Sequence, residues 1–418
     1  MDSNNRENYF KYGISLLNNI NELQVDYFRK IITLIKLIKQ EYHDLTITIK
    51  TPNPITDKRW GDYFFALALK KSFKKKGFNV LVQEREHWGD CDSDIVIVLR
   101  GAIEYTPKFY NLNLMWNISH PDDISSEEFE MYDIVFVASN EYADELNDKL
   151  ETLVHPLLQC TDPEIFFPEK SNEFHENILF VGVTRGIFRK VIADILETNK
   201  MFSVYGVGWE EFIDAKYIKG QFIDNDKLHK AYSSCNILLN DHWEDMLQRN
   251  FVSNRIFDAL ACKTFVISDD VESINSLFEG NVVTYNDSKD LNEKLEYYLT
   301  HETERLTMAN EGYEIVIKNH TFDNRVSEIL SVIEKKYFFE FLKQSKKDFN
   351  DDNSKKTELI IFNYLFDVDY DGIIDENKSM NIEIARLNER IYFLEQAMLF
   401  HNKNKGFKSY KDLFNFFS

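Results

Sequence analysis

From residue 46 the chain alternates between two patterns, and that alternation limits its fold more than any other feature. Short apolar runs at 45–50, 79–83, 94–99, 112–117, 133–138 and 152–157 form a first series. Runs at 178–183, 202–205, 237–240, 264–268 and 282–284 form a second. Amphipathic stretches at 61–76, 188–198, 225–233, 253–261 and 288–299 lie between them, with apolar residues at helical spacing. Strands apolar at nearly every position are covered on both faces, and the intervening helices supply the cover. The expected fold class is α/β, with two Rossmann-like domains facing across a cleft. A Pro-containing run from His155-Pro156 to Phe167-Pro168 separates the two series and reads as the linker.

The expected organisation is a helical segment at 1–45, a first sheet domain at 46–158, a second at 159–340 and an extension at 341–418. Residues 8–43 read as a helix packed on the first domain, with a membrane-surface helix as the alternative. Residues 302–345 are again helical, and 344–357 is a polar, charged linker. An amphipathic stretch at 380–399 is either a seam for homo-oligomers or a helix packed on the body. Before it, Asp367, Asp369, Asp371 and Asp375 match the first nine positions of a calcium loop, with Gly372 at the sixth. Position twelve is Lys378, which replaces the bidentate acid. An acidic turn therefore stands ahead of a calcium site.

In parallel sheets ligands bind at the carboxyl ends of the strands, so the residues there carry the chemistry. One strand ends at Gly182 and passes through Arg185 and Gly186 to a helix with Arg189 and Lys190 in its first turn. Cations oppose the dipole at a helix N-terminus but suit a bound diphosphate. The competing reading is solvated surface cations. Tyr205-Gly206-Val207-Gly208-Trp209 follows the next strand, where glycine lets the backbone approach a ligand. In the first series, Trp60, Gly61 and Asp62 open a helix after the first strand. His87 follows the second, and His120, Pro121, Asp122 and Asp123 follow the fourth. His120 or Asp122 has the chemistry of a general base. A His that caps the next turn is the competing reading there, and an N-capping Asp62 over a packed Trp60 is the one at the first helix.

The run Asn254-Arg255-Ile256-Phe257-Asp258-Ala259-Leu260-Ala261-Cys262-Lys263-Thr264-Phe265-Val266-Ile267-Ser268-Asp269 reads as a helix leading straight into a buried strand. It resembles the R-x-F-E-A-x-A-C-G-x-x-x-I-S-D segment of group 1 glycosyltransferases, in particular the branch similar to spore maturation protein CgeB. The resemblance covers about residues 46–335 and implies the GT-B architecture. It places Gly182, Arg185, Arg189, Gly206, Gly208, Trp209, Asn254, Arg255 and Asp258 at the nucleotide-sugar donor. It places Trp60, Gly61, Asp62 and His87 on the acceptor side, and His120 or Asp122 as the base. Many group 1 enzymes carry Glu-x7-Glu, whereas this chain has Asn250 and Asp258, and Lys263 stands where Gly is usual. His320 reads as structural.

The implied function is metal-independent transfer of a sugar from a nucleotide-sugar to a glycan, lipid-linked or protein acceptor, with no cofactor required. A sugar-nucleotide epimerase of the same architecture and a non-catalytic nucleotide- or glycan-binding scaffold are the alternatives. A net charge of −21 argues against nucleic acid as a partner. The four cysteines form no C-x-x-C and read as reduced, mostly buried thiols. Neither a signal peptide nor a transmembrane segment is expected. The expected location is cytoplasmic, free or peripheral at the inner membrane.

Overall fold

The computed structural model describes residues 40–89, 93–108 and 110–337, with scattered positions from 30 to 37. Asp90, the calcium-like run at 367–375, the 344–357 linker, the 380–399 helix and most of the 8–43 helix lie outside the described residues. Tyr42–Lys108 and Leu112–Val332 form one compact unit. The remaining residues group separately, and of them Ile333–Tyr337 is described as a short helical turn.

The first sheet holds β1 (Thr46–Lys50), β2 (Asn79–Gln83), β3 (Ile95–Arg100), β4 (Leu112–Asn117), β5 (Ile134–Val137) and β6 (Leu153–Pro156), in the order β2-β1-β3-β4-β5-β6. The second holds β7 (Glu176–Val181), β8 (Ser203–Tyr205), β9 (Ile218–Gly220), β10 (Cys235–Asn240), β11 (Val266–Asp269) and β12 (Val283–Tyr285), in the order β12-β11-β10-β7-β8-β9. All pairings are parallel. The β–α alternation thus becomes two doubly wound sheets facing across a cleft. Every residue of β3, β4 and β5 is buried, as strands covered on both sides require. Chain order reverses between β7 and β10, and the crevice at such a switch point is where these sheets take ligands.

Two apolar clusters cover the faces of the second sheet. One joins Leu179, Leu238 and Val266 to Ile256, Phe257 and Leu260 of the Asn254–Ala261 helix. The other joins Ile178, Phe180, Ile237 and Leu239 to Val191, Ile195 and Leu295. The Glu302–Asn319 helix comes close enough to the first cluster that a β-carbon on Gly312 would lie 2.7 Å from Leu260 Cδ2.

Three local differences from the sequence reading have physical causes. Residues 218–220 pair as edge strand β9, because the Gly206 N–H bonds the Gly220 carbonyl at 3.0 Å and extends the ladder by one rung. Three residues with one flanking bond leave little apolar pattern to detect. The helix expected from 188 begins at Lys190, with Arg189 as its N-cap residue. Short helices at Asn140–Asn147 and Glu244–Gln248 were not expected. The first is capped by the Ser139 hydroxyl, which accepts from the Tyr142 N–H. Lys263 has a left-handed φ of 56° just past the end of its helix, which is the reason glycine is usual there.

The chain crosses between the sheets twice. The outward crossing carries Thr161 and the return carries Thr321, and the two form a parallel bridge. Arg325 fastens the return. Its Nε donates to the Leu158 carbonyl at 2.6 Å, and its Nη2 to the Gln159 carbonyl at 3.2 Å and to His320 Nδ1 at 2.6 Å. Burial first, and the guanidinium second, push the His320 pKa down to about 4, so His320 is a neutral acceptor packed on Phe257. Phe322 stacks edge-on against Phe65 of the Gly61–Lys75 helix at 4.7 Å. Arg325→Leu would leave these buried acceptors without a donor. It is expected to cost about 2–4 kcal/mol, read as a drop in the urea midpoint.

Candidate active site

The donor-side residues gather at the switch point of the second sheet. The β7 loop is held from beneath by the β8 loop. The Trp209 indole N–H donates to the Gly182 carbonyl at 2.8 Å, and the Gly182 N–H to the Tyr205 carbonyl at 2.8 Å. A β-carbon on Gly206 would lie 2.0 Å from the Gly182 oxygen, and one on Gly208, at a φ of 88°, 2.7 Å from the Thr184 hydroxyl. Both glycines are required by this packing. Trp209, placed at the nucleotide by the resemblance, is fully buried against Phe180. It shapes the turn from below and has no face toward the cleft.

Arg185 lies near enough to Arg189 and Arg255 to feel their charge, and those two flank Gly182. An ideal β-carbon there would meet Arg189 Nη1 at 2.9 Å and Arg255 Nη2 at 3.1 Å. The arginines are held differently. Arg189 is 2% exposed and makes a two-pronged ion pair with Asp241, with Nε–Oδ2 at 2.9 Å. Its Nη1 donates to the Val183 carbonyl. Arg255 donates to Asn240 Oδ1 at 2.6 Å. Arg185 has no carboxylate within ion-pair distance among the described residues. Its guanidinium lies over the Trp243 ring, 4.0 Å from the centroid. Burial, with Arg189 next, pushes its pKa down to about 9.

The Asn254–Ala261 helix points its N-terminus at the same place. Its first amides have no intrahelical partners, so this end suits an anion. The end is fixed by His242, whose Nε2 accepts from the Ser253 N–H at 2.9 Å while Nδ1 meets Asp269 Oδ1 at 2.5 Å. Those bonds set the tautomer, with the proton on Nδ1. Burial alone would raise Asp269, but His242 and Ser268 outweigh it and hold the carboxylate below its usual range.

Asp258 faces the crossover. Oδ1 accepts from the Thr161 hydroxyl at 2.7 Å and Oδ2 from the Asn254 amide at 2.7 Å. Burial pushes its pKa up to about 8 against both bonds. Asn254 Oδ1 is buried without a partner in this arrangement. Turning the amide over would let a protonated Asp258 donate to it. The sequence offers no hint of Thr161, which lies 97 residues from Asp258.

On the first sheet, His120 sits beyond β4 with a left-handed φ of 52°. Its Nδ1 is 3.8 Å from Asp245 Oδ2, and its ring is 4.9 Å from the Trp243 ring. Asp122 instead accepts from Arg249 Nε at 3.1 Å, and Arg249 also reaches Glu145 at 2.6 Å. That engagement makes Asp122 a tie between the two domains. Trp60 is 38% exposed at the start of its helix. Gly61 is exposed, and Asp62 is half-buried beside Gly101 and Ser119. Burial pushes the Asp62 carboxyl up to about 6. His87 is exposed beyond edge strand β2, three places from β4 in the sheet, and is not brought to His120. Asp241, His242, Trp243 and Asp269 join the site only through the fold. Among the described residues no group of three or more His, Cys, Asp or Glu is placed to hold a metal. None of the described helices is long and apolar enough to cross a membrane.

Raising a carboxyl pKa makes the folded state hold its proton after the unfolded chain has released it. Between the ordinary 3.8 and about 8, Asp258 therefore costs more stability as pH rises. Asp258→Asn is expected to remove that slope. The variant should gain a few kcal/mol over the wild type by pH 8 and nothing below pH about 4, in urea titrations across that range.

Residues 185–331 match a family model described as glycosyl transferase-like. The spore protein CgeB of Bacillus subtilis (strain 168) is 21% identical over 177 residues, which cover 38% of this chain and 55% of that protein. The match thus spans just over half of that relative. Among solved structures, sucrose-phosphate synthase from Thermosynechococcus elongatus superposes with a TM-score of 0.53 at 12% identity, over 71% of this chain and 100% of that one. A glycosyltransferase from Rickettsia africae ESF-5 does so with a TM-score of 0.50 at 12% identity, over 71% and 100%. Anabaena HepE, solved with UDP and glucose, gives 0.50 at 10% identity, over 69% and 100%. At such identities these structures speak to the fold, which is GT-B. By its domain match and its curated relative, the chain is similar to glycosyl transferase-like proteins and to CgeB, and it has the GT-B fold.

Proposed function

We propose that the protein moves a sugar from a nucleotide-sugar donor to an acceptor hydroxyl, without a metal. The observation that carries this reading is the pair of guanidinium groups at Gly182, one of them on the first turn of the Asn254–Ala261 helix, with Arg185 and the His120 imidazole of the first sheet meeting at the Trp243 ring. Arg185, Arg255 and the first amides of the Asn254–Ala261 helix take the donor diphosphate and supply the charge that a divalent cation otherwise would. Asp258 and Asn254 take donor hydroxyls, and a protonated Asp258 both donates and accepts. Trp60 and Asp62 line the acceptor side, where an exposed indole suits a sugar face. In the transfer step the bond from the anomeric carbon to the donor phosphate oxygen breaks. A bond from that carbon to the acceptor oxygen forms, and the acceptor proton passes to the base. His120, nearer than Asp62 to the arginines through Trp243, is the proposed base.

The test is a thermal-shift panel of nucleoside diphosphates and sugar nucleotides with and without EDTA, followed by turnover of any donor that binds. A clear hit that EDTA leaves unchanged supports the reading through mass action. No shift from any nucleotide at millimolar concentration sinks it, and donor turnover without acceptor points to epimerisation. Arg255→Leu is expected to weaken nucleotide binding by about tenfold or more. His120→Asn keeps a residue that tolerates the left-handed backbone. It is expected to lower kcat by about a hundredfold to ten-thousandfold with donor affinity retained.

A further inference from the structure

One aromatic ring stands between the two halves of the cleft. Trp243 follows β10 on the segment that leaves the second sheet and docks on the first domain. Met246 and Phe251 of that segment are buried with Ile124, Phe129 and Tyr142. The Arg185 guanidinium and the His120 imidazole, from different sheets, both meet the Trp243 ring. Both residues hold left-handed backbones, so the surrounding fold imposes their placement.

The two arginines of the β7 loop show why the ring matters. A partly buried guanidinium needs something to hold it. Asp241 holds Arg189 with two bonds and cancels its charge in doing so. An indole face also attracts a cation, but it carries no net charge and leaves the cation whole. We propose that Trp243 is a positioning residue of the cleft. Its π face keeps the Arg185 guanidinium in place and still charged for the donor diphosphate, while Asp241 turns Arg189 into a structural strut. The inference rests on the donor-site reading above and adds to it the means by which the cationic group stays available.

The test uses the full-length protein and inorganic pyrophosphate, which is independent of the donor base, by isothermal titration calorimetry. Trp243→Phe keeps a π face and is expected to bind within about twofold of the wild type. Trp243→Leu keeps apolar bulk without the face and should bind about threefold to thirtyfold more weakly. Arg185→Met should lose at least as much, and adding Trp243→Leu to it should cost nothing further, since the ring acts through that arginine. Wild-type affinity in Trp243→Leu, or losses that multiply in the double variant, overturns the inference and leaves the donor site standing. Absence of wild-type binding at millimolar pyrophosphate overturns both. Should Trp243→Leu fail to fold, tryptophan emission replaces it. Pyrophosphate should change the emission of the wild type and not of Trp243→Phe. An identical change in both proteins overturns the proposal.

Discussion

Thr161 ties the molecule together at the one point where everything has to meet. Its N–H donates to the His320 carbonyl at 3.0 Å, and its carbonyl accepts from the Phe322 N–H at 3.2 Å, which joins the outward and return crossings. Its hydroxyl donates to Asp258 on the helix that ends at the donor side. A two-domain cleft is only as well defined as the hinge beneath it. Here the hinge is a short stretch of buried backbone with its polar groups paired, and Arg325 satisfies the carbonyls on either side. Lys71 and Asp162, 2.9 Å apart, and Ser72 and Asp323, 2.5 Å apart, extend the clasp to the first helix.

Above the hinge, the carboxyl edge of the second sheet is crowded with charge. Burying so many ionised groups is costly unless each is paired or shares a counter-charge. The structure solves this locally: Asp241 pairs with Arg189, the His242 ring donates a hydrogen bond to Asp269, and Asp258 keeps its proton. What is left over is positive. Arg185 has an aromatic face where a carboxylate would otherwise be, and Arg255 is held by the neutral amide of Asn240 and the Phe180 ring. Such a residue of charge is the electrostatic counterpart of a diphosphate. It exists because Asp241 is taken up by Arg189 and Asp258 keeps its proton.

The opposite wall is bound to this one by side chains from the segment after β10. Arg249 pairs with Asp122, and Asp245 faces His120. His120 and Asp122 are therefore placed by contacts with the second domain as well as by their own sheet.

The strands and most long helices were legible because buried parallel strands must be apolar and amphipathic helices must keep their spacing. The period of the sequence therefore states both element types and the parallel sheet. The glycines at 206 and 208 and the arginines near Gly182 were legible because turn geometry and charge at a strand end leave a local trace. Edge strand β9 left none, since three residues are too few to show a period. The resemblance placed Trp209 at the nucleotide and offered Asp122 as a base. One is buried beneath a loop and the other is claimed by Arg249, facts that depend on chain 27 and 127 residues away. The sequence by itself thus determined the two sheets and the residues at their carboxyl ends, because backbone periodicity is a local property. Only the tertiary structure decided which of those charges cancel, that Thr161 holds Asp258 and that Trp243 holds Arg185, because pairing is a property of distance in space.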